Sequence, residues 1–149
     1  MILALDPGVQ ACGMAWFDSG RLCVAEYLPV QMLMKHGPIG GLLCEMPRVY
    51  PGSGQQKGDL NDLTRLAAIV GYAEGLLAAY SRIFATGSPH THRIYPADWK
   101  GQVPKKIMTA RILSKLSDGE LAKIVRVGAK DHNTIDAIGI GLHYLGRLK

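Results

Sequence analysis

The chain opens on a short apolar run, residues 1–6 (MILALD), that stops at Asp6-Pro7-Gly8. An apolar run closed by such a sequence predicts a strand followed by a turn. Residues 12–18 (CGMAWFD) and 21–28 (RLCVAEYL) flank Ser19-Gly20. A two-residue connection of this kind predicts an antiparallel hairpin, which is expected to pair with the first strand. Residues 29–40 hold two prolines and two glycines and leave room for a helical turn or two. Residues 41–46 (GLLCEM) form a fourth apolar run, with Glu45 near its end and Pro47 just after.

The pattern then changes. Residues 48–59 (RVYPGSGQQKGD) are rich in Gly, Pro and polar side chains and predict a surface loop. From 60 to 80, the apolar positions Leu60, Leu63, Leu66, Ala67, Val70, Ala73, Leu76 and Leu77 follow helical spacing. Residues 92–96 (HRIYP) predict a fifth strand, and 104–116 a helix with Pro104 in its first turn. A short helix is expected over 118–124, and a last one over 133–148 with Ile135, Ile138, Leu142 and Leu145 on one face. Three hairpin-connected strands followed by a strand–helix–strand unit predict a mixed five-stranded α/β sheet covered on both faces by helices.

At 149 residues and 48% hydrophobic, the chain is long and apolar enough for one domain with a real core, expected to span 1–149. No apolar stretch is long enough to span a bilayer, and the start resembles no secretory signal, so the expected location is the cytoplasm. Cys12, Cys23 and Cys44 match neither a disulfide framework nor a zinc site and read as small buried hydrophobes. The net charge of +5 hints at a polyanionic partner. Its distribution says more: between Arg93 and Arg126 stand eight basic residues and three acidic ones.

Two acids close strands, Asp6 the first and Glu45 the fourth. Side chains at strand ends line the crevice where ligands bind in an α/β sheet. A third group, Asp131, His132, Asn133 and Asp136, stands at the start of the last helix, with His132 and Asp136 four residues apart on one face. Three or four acids at one point repel one another unless a cation joins them. Mg²⁺, a hard ion held by a few carboxylates, meets that need, and a pair of such ions ~4 Å apart can activate water against a phosphodiester. Each residue also has a plainer reading. Asp6-Pro7-Gly8 is also an ordinary turn, Glu45 can pair with Arg48, and Asp131 or Asn133 can cap the last helix.

The strand ending Asp6-Pro7-Gly8, followed by Gly13-Met14-Ala15, is similar to the opening of the RuvC-like Holliday-junction resolvases. Leu43-Cys44-Glu45-Met46-Pro47 resembles the second acidic motif of that family, and Asp136-Ala137-Ile138-Gly139-Ile140-Gly141 resembles its C-terminal one. The order and spacing hold over nearly the whole chain. The resemblance implies a ribonuclease-H-like fold and a Mg²⁺-dependent endonuclease acting on branched DNA, four-way junctions above all, with Mn²⁺ as a substitute ion. It implies metal ligation by Asp6, Glu45 and Asp136, products bearing 3′-hydroxyl and 5′-phosphate ends, and a homodimer with two active sites.

Two departures stand out. Where the family usually carries an acid or a His three residues before the last Asp, this chain has Asn133, leaving Asn133, His132 or Asp131 to complete the metal site, or His132 to act as a base. The segment between the third and fourth strands is also too short for the helix that bacterial members carry. Compact versions of this kind occur in phages, so the resemblance implies a phage or prophage origin.

Lys100, Lys105 and Lys106 lie around a helix N-terminus suited to phosphate contacts, and lysines of this region contact the scissile strand in the family. Trp99 is expected to pack beneath them. Tyr50, the single aromatic of the 48–59 loop, corresponds to a family residue inserted at the junction centre, with Arg48 and Lys57 as further phosphate contacts. Small residues at Ala67, Ala68, Gly71, Ala73 and Gly75 suit close packing on the sheet or across a dimer. Two alternatives stay open: a branched-DNA-binding module that has lost catalysis through Asn133, and an RNA nuclease of the YqgF type. A nucleotide-binding enzyme related to actin and hexokinase would need about twice the length.

Overall fold

Alternation of side chains along the strands decides which face each element covers. The structure, a computed structural model, describes residues 1–47, 60–84, 87, 89–125, 128 and 131–148, the side chain of Leu60 excepted. Its strands are β1 (Ile2–Asp6), β2 (Cys12–Asp18), β3 (Arg21–Leu28), β4 (Gly41–Glu45) and β5 (His90–Ile94). Its helices are α1 (Leu60–Phe84), α2 (Pro96–Trp99), α3 (Lys105–Leu113), α4 (Asp118–Leu121) and α5 (Asp131–Tyr144). The sheet runs β3-β2-β1-β4-β5. β1 pairs antiparallel with β2 and parallel with β4, and β5 joins β4 in parallel. This is the mixed sheet expected from the order of elements.

The hairpin turns at Ser19 (φ 48°) and Gly20 (φ 79°), and two successive positive φ values match the right-handed twist of the strands they join. Only a single helical turn, Val30–Met32, stands between β3 and β4.

Successive strand residues point to opposite faces. Leu3 and Leu5 of β1, Met14 and Trp16 of β2, and Leu42 and Cys44 of β4 pack beneath α1, against Val70, Ala73 and Leu77. Ala4, Ala15, Phe17 and Leu43 face the other way, against Ile135, Ile138, Ile140 and Leu142 of α5 and Met108 and Ile112 of α3. Helices therefore cover both faces. Each fully buried Leu, Ile, Phe or Met here contributes ~1.5–3 kcal/mol, so both layers stabilise the sheet between them.

Several boundaries differ from the sequence pattern. β5 lies at 90–94 and not 92–96, because Pro96 opens α2 and the polar residues His90-Thr91-His92 sit on an exposed edge strand where no apolar signal is needed. α1 runs on to Phe84, its buried stripe continuing through Ser81. α3 starts after Pro104 and stops at Leu113, and α4 ends at Leu121. α5 begins two residues early and ends at Tyr144, where the Arg147 N–H turns back to Leu142 O at 2.8 Å. Cys12 and Cys44 are buried as expected, but Cys23 is only half-buried. Among the described residues, no helix is long and apolar enough to cross a membrane.

Candidate functional site

β1 and β4 run parallel in register, Leu5 opposite Cys44, and each carries its acid one residue further on. The alternation that turns Ala4 and Leu43 toward α5 turns Asp6 and Glu45 the same way. Asp136 projects from the second turn of α5, which crosses this end of the sheet. The helix can approach closely because β2 has glycine opposite Asp6. A Cβ at Gly13 would collide with the backbone carbonyl of Asn133. A Cβ at Gly8 would lie 3.3 Å from Asn133 Nδ2, so the Asn133 side chain rests over the turn that follows Asp6.

The three acids, remote in sequence, thus share one end of the sheet, and their electrostatics show it. Burial pushes the Asp6 carboxyl well above the usual carboxylate range. The charges of Glu45 and Asp136 push it the same way, against Lys100 and Lys105. Burial also raises Glu45, although Lys100 and the Trp99 N–H pull it back.

Lys100 bridges two of the three acids. Its ammonium lies 3.1 Å from Glu45 Oε2 and 3.3 Å from Asp136 Oδ2, and 4.7 Å from the centre of the Trp99 ring. Burial works against the charge on Lys100, but Glu45 and Asp136 outweigh it and hold the ammonium above its ordinary pKa. Trp99 is buried, and its indole N–H donates to Glu45 Oε2 at 2.8 Å. A Cβ at Gly139 of α5 would strike the Trp99 ring, so the glycine makes the space that the indole occupies against the helix. A cavity of about 320 Å³, lined by Lys100, Gln102, Val103, Lys105, Met108 and Asp136, adjoins the group.

Among the described residues, no three His, Cys, Asp or Glu side chains stand close enough to hold one ion as arranged here. The donor set nevertheless suits a hard cation. It consists of carboxylate oxygens, two of which already converge on a positive charge, that of Lys100. By the chemistry of their donors, Asp6, Glu45 and Asp136 suit a divalent metal, and the Lys100 ammonium stands between two of them.

The remaining sequence candidates fall in different places. Lys105 and Lys106 are exposed at the start of α3. Asp131 is half-buried and His132 exposed in the first turn of α5, while Asn133 lies nearer the end of β1. Arg48, Tyr50, Lys57 and Arg126 lie outside the described residues. The pattern of the sequence did not assign Trp99 its bond to Glu45 or Lys100 its place between two acids. The usable signal was that a buried indole N–H needs an acceptor, which the structure supplies in Glu45.

No protein-family model matches the chain. No curated protein matches it either. Solved structures do. Thermus thermophilus RuvC in complex with a Holliday junction substrate aligns over 97% of this chain and 92% of its own, at 18% identity and a TM-score of 0.58. The yeast mitochondrial Holliday junction resolvase aligns over 99% and 81%, at 12% identity and a TM-score of 0.58. Fowlpox virus resolvase, solved with substrate Holliday junction DNA, aligns over 99% and 100%, at 15% identity and a TM-score of 0.57. The mixed five-stranded sheet and its helices are therefore those of the ribonuclease-H-like fold in which these Holliday-junction resolvases are built.

Proposed function

We propose that this protein is a divalent-metal-dependent endonuclease that cleaves branched DNA, four-way junctions foremost. The observation that carries the reading is the placement of Asp6, Glu45 and Asp136 from β1, β4 and α5 at one end of the sheet, with Lys100 bridging Glu45 and Asp136. The fold shared with three Holliday-junction resolvases supports it.

In this reading, Asp6, Glu45 and Asp136 hold Mg²⁺, with Mn²⁺ able to replace it and Asn133 completing the set through its side-chain oxygen. The ion supplies an activated water and charge neutralisation at the phosphodiester. The protein supplies position. The parallel register of β1 and β4 fixes two carboxylates side by side, and the Trp99 N–H holds Glu45 in one orientation. Lys105 and Lys106 meet the backbone phosphates beside the scissile bond, Lys100 joining them when it leaves the carboxylates. Arg48, Tyr50 and Lys57 are assigned to the junction centre on their family positions. Two coordinated cuts require two copies of the site, hence a homodimer.

The test is an assay of purified protein on labelled four-way, Y-shaped and linear DNA, with and without Mg²⁺. Metal-dependent nicking of branched but not linear DNA is expected, and it should vanish in Asp6→Ala with junction binding retained. Full cleavage by that variant would refute the assignment.

One observation favours a second reading, a branched-DNA-binding module without catalysis: the Lys100 ammonium stands between Glu45 and Asp136, where an ion would have to sit. Tight junction binding with no nicking in any divalent ion, and gain of activity on Asn133→Asp, would support that reading over the first.

A further inference from the structure

Lys100 is paired with two metal-ligand candidates and is not turned out to solvent as a phosphate-contacting lysine would be. Lys100 Nζ is within 3.1 Å of Glu45 and 3.3 Å of Asp136, and the side chain is only 25% exposed. Lys105 and Lys106, by contrast, are exposed. The ammonium and a divalent cation compete for the same oxygens, since a carboxylate oxygen turned to Lys100 is not available to an ion at the same place. The side chain also has somewhere to go. The adjoining cavity opens beside Lys100, between Gln102, Val103 and Lys105.

We propose that Lys100 is a displaceable counter-ion of the carboxylate centre: its ammonium holds Glu45 and Asp136 together until a divalent cation takes its place, and then swings into the cavity beside Lys105. The inference rests on the metal-dependent reading above and adds what balances the charge of Glu45 and Asp136 before an ion binds. Without a positive charge, three partly buried carboxylates would drive one another apart. With Lys100 fixed there, metal binding carries the cost of breaking two ion pairs. The chain trades affinity for an ordered centre. A lysine released only by metal would add its phosphate contact only when the centre is loaded, while Lys105 and Lys106 hold the junction with or without metal.

Trp99 gives a readout free of DNA and of turnover. The ammonium lies over its ring, whereas Trp16, the other tryptophan, is buried in the opposite layer beneath α1. The experiment is a titration of the protein with Mn²⁺ at constant pH, without DNA, followed by calorimetry and by tryptophan emission. It compares wild type with Lys100→Met, which keeps the stem and removes the charge, and with Lys100→Arg, which keeps the charge. Thermal melts check that each variant is folded.

Lys100→Met should bind Mn²⁺ about tenfold more tightly than wild type, equivalent to ~1.4 kcal/mol, and Lys100→Arg should not. The metal-dependent change in emission should differ between wild type and Lys100→Met, because only wild type loses an ammonium from the Trp99 ring when the ion binds. Equal affinity in wild type and Lys100→Met, with Asp136→Asn abolishing binding in both, would overturn the counter-ion while leaving the carboxylate site standing. Binding by none of the proteins would overturn both, the site and the displacement with it.

Discussion

The indole N–H of Trp99 donates to Glu45 Oε2 at 2.8 Å, and no other described contact ties α2 so directly to the end of β4. A hydrogen bond to a charged acceptor contributes ~1.5–3 kcal/mol. Trp99→Phe keeps an aromatic ring against Gly139 but frees Glu45 to rotate. The expected outcome is a fall of roughly 5- to 30-fold in kcat, the equivalent of ~1–2 kcal/mol, with KM for the junction nearly unchanged. Gly139→Ala should act in the same direction, because its methyl group displaces the ring and also lies 2.8 Å from Ile112 Cδ1. Single-turnover cleavage under saturating metal separates the two parameters; a change confined to KM would remove Trp99 from the positioning of Glu45.

Asp6 carries a charge that the fold resists. Its folded pKa is raised by burial and by Glu45 and Asp136. The native state therefore holds the proton more tightly than the unfolded chain does, and stability falls as pH rises from the ordinary carboxylate pKa, 3.8, through the folded value. Asp6→Asn removes this penalty. Without metal, the variant should melt above wild type at pH 8, by ~2–4 °C for each kcal/mol relieved. The gain should shrink as the pH is lowered toward 4. Cleavage should be lost throughout. Melting curves in a chelator at several pH values check this; a variant less stable at high pH would show that the native fold needs the Asp6 charge.

Lys105 and Lys106 are assigned to phosphate contacts without base reading. Replacing either with Ala should weaken junction binding uniformly across sequences and lower the slope of log K against log salt by about 1. Fluorescence anisotropy over a range of salt measures the slope. An unchanged slope would return that lysine to an ordinary solvated surface.

Glu120 is a structural acid away from the candidate site. Arg147 grips it with two hydrogen bonds of 2.8 and 3.0 Å, and it accepts from Leu22 N at 2.9 Å and Ser117 N at 3.0 Å. The Arg147 guanidinium holds its carboxyl far below the usual range. The stability it contributes is present above the ordinary pKa of 4.5 and is lost as pH falls through the folded value. Glu120→Ala should cost ~2–3 kcal/mol near neutral pH and leave cleavage per folded molecule intact. Urea unfolding at pH 7 and in acid should show the gap between the two proteins narrowing at low pH.

The order of elements was legible in the chain because each carries a local cause. Ser19-Gly20 turns the hairpin, prolines end strands, and the spacing of Val70, Ala73 and Leu77 marks a helix with one buried face. The same local signals brought out Asp6 and Glu45, since an acid at the end of an apolar strand stands out against its neighbours, and Asp136 stood out as an acid in the polar opening of an otherwise apolar last helix. The edge strand β5 was misplaced by two residues for the converse reason: His90, Thr91 and His92 are exposed, and hydrogen bonding to β4, not their own polarity, makes them a strand. What local pattern could not supply is who meets whom across the layers. Gly13 reads as an unremarkable strand residue until the backbone of Asn133 is seen against it. Trp99 and Lys100 read as a loop beside DNA until α2 folds over the sheet and turns both toward Glu45. Strand ends and periodicity are written residue by residue, whereas the pairing of a charge with its partner depends on the approach of segments dozens of residues apart, which only packing decides.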